Sequence, residues 1–159
     1  MAIRNIIQLG DETLRKKSFT VEKINDKTIQ LIDDMKDTLD KAQGAGLAAV
    51  QVGILRRIYI IDAGVEEDRH EIIEFINPEI IRTEGVQEEV EGCLSVPGKY
   101  GLTHRPAKVT VRAKNRAGET FEYTGTGLIG RCLCHEYDHL DGILYTDKAV
   151  RMLDPDEYE

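Results

Sequence analysis

The sequence contains no long apolar run and has fewer cationic than anionic side chains. Its apolar runs, such as residues 58–61, are only a handful of residues long, far short of the roughly 20 that a membrane-crossing helix needs. We therefore expect no membrane span. Lysine and arginine total 21 against 29 aspartate and glutamate, which gives a net charge of −8. This charge opposes contact with phosphate backbones, so nucleic acid is not expected as a direct partner.

Cysteine and proline are also scarce. The chain has four prolines and three cysteines, which are Cys93, Cys132 and Cys134. The first residues lack the apolar stretch and cleavage site of a secretory signal, so we expect a cytoplasmic protein whose cysteines remain thiols. An odd number of thiols in such a protein indicates metal binding, catalysis or burial before disulfides. The composition and the length of 159 residues predict one globular domain over 1–159, with an acidic, frayed tail at about 151–159.

Two helices are predicted. Asn25 or Asp26 caps the first, which runs to about Gln43 and places apolar residues at helical spacing, as a core-facing scaffold helix does. From about Gly127 to Leu140 the sequence is apolar on more than one side, as in a buried helix.

The middle of the chain is predicted to be rich in strands. Strands are expected at 57–62, 71–76 and 79–83, and a turn at Asn77-Pro78 would separate the last two. Farther along, 108–113 and 120–123 alternate apolar and polar residues around a turn, which indicates a hairpin. The sequence therefore predicts an α+β fold, in which short antiparallel sheets pack around the buried second helix.

That second helix carries an HExxH motif at residues 135–139. Four residues of α-helix turn through about 400°, so His135 and His139 project from one face within reach of one ion. Neutral imidazole suits zinc and ferrous iron, and Glu136 lies on a neighbouring face, where a general base would sit. The alternative is a pair of histidines that only pack or face solvent, but the full motif favours a metal site.

The third ligand is a cysteine in either of two positions. Helical spacing permits Cys132, which precedes His135 by three residues. Cys93 lies in the glycine-containing segment 91–95 after a strand-like stretch, which would bring a thiolate to the mouth of a site. We favour Cys93, because Cys132 and Cys134 are typical of buried packing residues. A Cys/His/His set leaves one tetrahedral position for water, as catalytic zinc sites do.

Three segments of the sequence have a motif that includes the candidate ligands and also their neighbouring residues. They are residues 44–51 (GAGLAAVQ), 91–95 (EGCLS) and 135–142 (HEYDHLDG). Together they resemble the GxGLAAxQ, EGCLS and HExDHLxG segments of peptide deformylases, the enzymes that remove the formyl group from the N-terminal methionine of new bacterial chains. The resemblance covers residues 1 to about 150. Cys134 departs from it, since glutamine usually precedes the first histidine.

The resemblance implies hydrolysis of N-formylmethionyl peptides and nascent chains, with release of formate. Metal-bound water would attack the formyl carbon while Glu136 accepts its proton and returns it to the leaving amine. The Gln51 side-chain amide and the Leu94 backbone N–H would meet the charge on the formyl oxygen. By analogy, Glu91 would support the site, and Fe²⁺ would be the metal, with Zn²⁺, Ni²⁺ or Co²⁺ as replacements.

The methionine side chain needs an apolar slot. Leu128, Ile129 and Cys132 lie on the turns before His135 and are predicted to line it, although core packing explains these residues equally well. Gly46 would let the backbone approach the substrate closely, or would simply permit a turn.

Two other classes of protein could carry the same motif, a metallopeptidase and a structural zinc module. HExxH is also the metallopeptidase motif, although those sites usually take histidine or a carboxylate as third ligand. A structural zinc module would instead close the tetrahedron with Cys132 or Cys134.

In parts of the resembled family a basic C-terminal helix docks on the ribosome. Here the end of the chain, 154–159, is short and acidic, so ribosome docking through that element is not expected.

Overall fold

The computed structural model describes residues 2–67 and 69–157. The α-helices in these ranges are α1 (Asp26–Ala42), α2 (Gly127–Leu140) and the short α3 (Tyr145–Lys148). The strands are β1 (Gly46–Ala48), β2 (Ile58–Asp62), β3 (Ile72–Glu84), β4 (Gln87–Cys93), β5 (Val96–Arg105), β6 (Lys108–Lys114), β7 (Thr120–Thr126) and β8 (Arg151–Met152). All pairings between these strands are antiparallel, which confirms the predicted α+β class.

Helix α1 packs against one face of the larger sheet. It begins after Asn25, whose side chain accepts a hydrogen bond from Thr28 N at 3.0 Å and so satisfies a free N–H at the helix start. Ile32, Met35 and Leu39 are almost fully buried, because their helical spacing places them on one face. The predicted scaffold helix is confirmed.

The larger sheet has five strands in the order β1-β2-β3-β6-β7. Alternate side chains of β2 point to opposite faces. Ile58 and Ile60 therefore join the apolar cluster around α1, whereas Tyr59 and Ile61 join the cluster around α2. All four are fully buried. An apolar strand buried on both faces places the two long helices on opposite sides of this sheet.

Strand β3 corrects one prediction. The turn predicted at Asn77-Pro78 is wrong, because β3 continues through both residues. Asn77 adopts φ 51°, and the pairing with β6 shifts register just after Ile76, which is the signature of a β-bulge. The Asn77 side chain accepts a hydrogen bond from Val21 N and donates one to Val21 O, both at 2.8 Å. The bulge thereby fixes the N-terminal arm to the sheet.

The smaller sheet has three strands in the order β4-β5-β8, so β4 lies at one of its edges. Its pairing with β5 is irregular between Glu91 and Cys93. This irregularity lies at the end of β4 that approaches α2, and it changes the direction in which the side chains there point.

Part of the predicted frayed tail has local structure. Strand β8 pairs with the middle of β5, and Arg151 Nη1 donates a 2.8 Å hydrogen bond to Glu157 Oε1. Fraying of this tail stays a prediction, and residues 158 and 159 lie outside the described residues. Within the described ranges, no helix combines the length and apolar character that crossing a membrane requires.

Candidate metal centre

Helix α2 brings two imidazoles together. His135 and His139 lie one helical turn apart on the same face, with their Nε2 atoms 3.2 Å apart. Both are buried, at 8% and 0% exposure. The Nδ1 atom of His139 has no hydrogen-bond partner among the described residues.

The end of β4 brings a thiol to the same point. The Cys93 Sγ atom lies 3.4 Å from His139 Nε2 and accepts a hydrogen bond from Ser95 N at 3.4 Å. The Cys93, His135 and His139 donor atoms all lie within 4.8 Å of one another. Among the described residues, these three side chains form the group that could hold a metal ion. Neither Cys132 nor Cys134 belongs to this group.

These distances match a tetrahedral ion. Bonds of about 2.0 Å to nitrogen and 2.3 Å to sulfur place two nitrogens about 3.3 Å apart, and a nitrogen and a sulfur about 3.5 Å apart. The observed separations are 3.2 Å between the His135 and His139 Nε2 atoms and 3.4 Å between Cys93 Sγ and His139 Nε2. Two of the three donor pairs therefore have the spacing of ligands around one small divalent metal, and all three donors lie within 4.8 Å of one another. No fourth His, Cys or carboxylate donor among the described residues joins them.

Glu91 supports this cluster from β4. Its carboxylate accepts hydrogen bonds from His135 Nδ1 at 2.5 Å and from Arg105 Nε and Nη2 at 3.0 and 2.7 Å. Burial raises the pKa of Glu91, but the hydrogen bonds from His135 and Arg105 outweigh it and hold this pKa far below its usual range. A proton fixed on Nδ1 leaves the His135 Nε2 lone pair for a metal.

The network continues behind the ligands. Arg105 Nη1 also donates to Asp138 Oδ2 at 2.7 Å, and Lys148 Nζ donates to Asp138 Oδ1 at 3.2 Å. Asp138 thus faces a buried ion-pair network and is only 8% exposed. The network connects α2, α3 and the smaller sheet.

Glu136 lies beside the ligands without belonging to them. Its Oε2 atom is 4.0 Å from His135 Nε2, and its buried Oε1 atom has no hydrogen-bond partner among the described residues. Burial raises the pKa of Glu136 to about 7. A carboxylate with a pKa near neutrality is suited to accept and return a proton at physiological pH.

Gln51 and Gly46 lie next to the cluster. The Gln51 Oε1 atom accepts a hydrogen bond from Ala48 N at 2.9 Å, while its Nε2 donates to Ser95 Oγ at 3.1 Å and lies 3.7 Å from Cys93 Sγ. At Gly46 a Cβ would lie 2.9 Å from Ile61 Cδ1 and 3.0 Å from Glu136 Oε2. A larger residue there would therefore displace these two side chains.

A cavity of about 450 Å³ opens beside these residues. Leu94, Leu128 and Cys132 line it together with Gly46, Gln51 and Glu136. Ile129, which was also predicted for the methionine slot, is not among the residues that line this cavity. A helix turns about 100° per residue, so Ile129 leaves the face shared by positions 128, 131, 132, 135 and 136, and it packs into the core between α2 and the larger sheet.

The other two cysteines, Cys132 and Cys134, are buried. Burial is the main cause that raises the pKa of Cys132 to about 12 and that of Cys134 to about 11. Neither thiol belongs to the group of donors among the described residues that could hold a metal ion.

Several residues of this site were not predicted. Arg105 joins Glu91 to Asp138, but no spacing in the sequence links these three. Arg131 also lines the cavity, and its position four residues before His135 on the same helix face could have indicated it. Val90, Val96, Pro97, Lys99 and Tyr100 contribute further lining.

The cavity beside the candidate metal ligands is not the one with the larger volume. A larger groove, of about 1050 Å³, runs between the N-terminal arm and residues 53–56. None of the three ligand residues, and none of the carboxylates around them, lines it. The smaller cavity is therefore the candidate for chemistry.

Comparison with known proteins identifies one family. The family model of polypeptide deformylase matches residues 3–154. A peptide deformylase of Caldicellulosiruptor bescii is 50% identical over all 159 residues and 93% of its own length, and one of Acetivibrio thermocellus is 50% identical over 100% of this chain and 91% of its own.

Solved structures give the same result. A peptide deformylase from Legionella pneumophila superposes with a TM-score of 0.89 at 47% identity, covering 97% of this chain and 88% of that one. One from Synechococcus elongatus, in complex with actinonin, superposes with a TM-score of 0.87 at 40% identity, covering 91% and 79%.

Proposed function

Because the chain belongs to the polypeptide deformylase family, we propose that Cys93, His135, His139 and Glu136 carry out its reaction. That reaction is hydrolysis of the N-formyl group from the amino terminus of newly made chains, releasing formate. The observation that carries the assignment of residues is the three-donor cluster with the buried Glu136 carboxylate beside it, whose Oε1 atom has no hydrogen-bond partner among the described residues.

The Cys93 thiolate and the Nε2 atoms of His135 and His139 would hold the metal. When bound, it would supply Lewis-acid polarisation of the formyl oxygen and would lower the pKa of coordinated water toward about 7. One thiolate and two imidazoles suit several divalent metals. We propose Fe²⁺ as the metal in the cell, with Zn²⁺, Ni²⁺ and Co²⁺ as replacements.

Glu136 moves the proton. Its carboxylate accepts a proton from the attacking water and returns it to the leaving amine, so formate and a free amino terminus form without net proton change at the enzyme. Burial in the cavity wall holds the pKa of Glu136 at about 7, which lets it act in both directions near neutral pH.

Gln51 and Leu94 stabilise charge on the formyl oxygen. Gln51 is 1% exposed, and the bond from Ala48 N to its Oε1 fixes the amide so that Nε2 faces Cys93 and Ser95. The Leu94 backbone N–H is the second donor, since Leu94 follows the thiolate ligand and lines the cavity. Donors fixed in advance need no reorganisation during the reaction.

The substrate binds as an extended strand. Strands β1 and β4 each lie at an edge of a sheet, and both contribute residues to the cavity. Edge strands offer free backbone groups to an added peptide. Gly46 permits the close approach, and the methionine side chain then enters the slot lined by Leu128 and Cys132.

The chain works as one catalytic domain, because the ligands come from both α2 and the smaller sheet. Its partners are formylmethionyl peptides and nascent chains in the cytoplasm. The net charge of −8 disfavours direct binding to nucleic acid, and docking on the ribosome through a C-terminal helix is not part of this proposal. A thiolate ligand and a cluster of three donors favour this function over a peptidase or a structural zinc module.

The test is formate release from a formyl-methionyl peptide by protein purified without oxygen. We expect formate from the parent protein and about 10²- to 10⁴-fold less from a Glu136→Ala variant that keeps its metal. An unformylated peptide serves as the control for proteolysis. Absence of formate from folded, metal-loaded parent protein would overturn the proposal.

A further inference from the structure

Arg131 is a cation in the cavity wall with no ionic partner among the described residues. It lies on the lining face of α2, one turn before His135. Its Nη1 donates a hydrogen bond to Val90 O at 2.8 Å, and its Nε is buried with no acceptor in the part of the chain that the structure describes. Glu91, the nearby lining carboxylate, is already engaged by Arg105 and His135.

The contact between Arg131 and Val90 indicates which residue of a bound peptide lies near Arg131. Val90 precedes the ligand Cys93 by three residues on β4, which corresponds to about 10 Å of extended chain. A peptide whose formyl group lies at the ligands, and which runs along β4, therefore reaches Val90 with its third residue, at the point where Arg131 bonds to the Val90 carbonyl.

Side-chain alternation places that third residue on the side of α2. Successive side chains of an extended peptide point to opposite faces, so the first and third share one face. The first is the methionine, which enters the slot formed by Leu128 and Cys132 on α2. The third then points toward the same helix, where Arg131 lies.

On this basis, which rests on the proposed function, we propose that Arg131 makes the enzyme select formyl peptides with an acidic third residue. A guanidinium forms charge-assisted hydrogen bonds to carboxylates, and its planar group can keep its contact to a carbonyl while doing so. Lys99 also lines the cavity and adds positive potential on its exposed side. This local charge contrasts with the net charge of −8 of the whole chain.

The test compares peptides of the form formyl-Met-Ala-X-amide, in which X is Glu, Gln or Lys. The amide cap leaves the side chain as the peptide's sole carboxylate. We expect kcat/KM for the Glu peptide to exceed that for the Gln peptide by about three- to fivefold at low salt, which is the effect of one ion pair at the protein surface. The Lys peptide should be the poorest, and 0.5 M NaCl, a concentration at which such pairs are screened, should remove most of the difference.

Variants of Arg131 separate this role from a structural one. Arg131→Gln should equalise the Glu and Gln peptides, Arg131→Lys should restore part of the preference, and Arg131→Glu should favour the Lys peptide. Arg82→Gln makes the same change in net charge at an exposed arginine of β3 outside the cavity lining, so it should keep the parent preference.

Two results would overturn the proposal. One is equal kcat/KM for the Glu and Gln peptides with the parent enzyme, and the other is an unchanged preference in Arg131→Gln. Formyl-Met-Ala-amide, which lacks a third residue, distinguishes this failure from failure of the proposed function. If that dipeptide releases formate, the deformylase assignment holds whatever the role of Arg131.

Discussion

At the scale of single residues, Glu91 controls the geometry of the metal centre. It is 6% exposed and takes hydrogen bonds from His135, Arg105 and Thr103. Each donor satisfies part of a charge that would otherwise be costly to bury. Its contact with His135 fixes which ring nitrogen carries the proton, so its effect is felt at the metal.

We predict that Glu91→Gln weakens metal binding by about 10- to 100-fold, because an amide holds the His135 ring less firmly than a carboxylate does. Competition with a chelator of known affinity measures this change. Glu89→Gln is the matched control, since Glu89 is an exposed neighbour on the same strand. An unchanged affinity in Glu91→Gln would contradict the supporting role of this residue.

The cysteines give a second prediction. Cys93→Ser should lose the metal, because the thiolate is one of three donors, whereas Cys132→Ser should keep a stoichiometry of one metal per chain. Elemental analysis of the two purified variants measures this directly. Metal loss in Cys132→Ser, with the fold intact by circular dichroism, would place the third ligand on α2 instead.

How far the sequence predicts the site depends on the distance between partners along the chain. His135, Glu136 and His139 follow from helical geometry alone. Arg105 does not, because its carboxylate partners Glu91 and Asp138 lie 14 and 33 residues away, and only folding brings them together. Charged side chains at such positions are equally typical of solvated surface residues. The sequence therefore does not distinguish a buried ion pair from a surface charge there.

At the scale of elements, helix boundaries were predictable and strand irregularities were not. Helix α2 runs from Gly127 to Leu140, as its apolar pattern indicates. The Asn-Pro pair at 77–78 is a common turn signal, but here Asn77 adopts φ 51° inside β3 and bonds to Val21. A local signal cannot distinguish a turn from a bulge when a distant segment supplies the partner.

An ion-pair cluster joins three of these elements. Arg116, in the turn between β6 and β7, donates to Glu74 on β3 at 2.8 Å and to Asp33 on α1 at 2.7 Å. Burial raises the pKa of Glu74, but hydrogen bonds from Arg116 and Lys36 outweigh it, so the net pKa is lowered. The folded state therefore prefers Glu74 ionised.

We predict that Glu74→Gln lowers the free energy of unfolding at pH 7 by about 1 kcal/mol, because Arg116 is partly exposed and its ion pairs are screened. A lowered folded-state pKa stabilises the protein above the unfolded pKa of about 4.3 and loses that effect as pH falls. Urea unfolding at pH 7 and pH 3 should show the difference between parent and variant shrinking. Glu84→Gln, which breaks an exposed pair with Lys108, should change stability by only a few tenths of a kcal/mol.

At the scale of the whole molecule, the metal centre spans the two sheets. His135 and His139 belong to α2, which packs on the larger sheet, whereas Cys93 ends β4 of the smaller one. An ion bound to all three would hold the sheets together, so metal binding should favour the folded state.

We predict that metal removal lowers Tm by about 5–10 °C relative to protein with metal at 100 times its Kd. Calorimetry of the apo and reloaded protein measures the shift. Cys93→Ser should melt at the same temperature with and without added metal. A metal-dependent shift in that variant would show binding outside the proposed centre.

The open edges of β1 and β4 have a consequence for the behaviour of the protein in solution. Unpaired strand edges are templates for aggregation, because any extended chain can hydrogen-bond to them. Here residues of both edges line one cavity of about 450 Å³, whereas β7 and β8, the other edge strands of the two sheets, contribute no residue to it. A slender extended peptide that binds in this cavity would therefore cover the edges of β1 and β4 there and shield them from pairing with another chain.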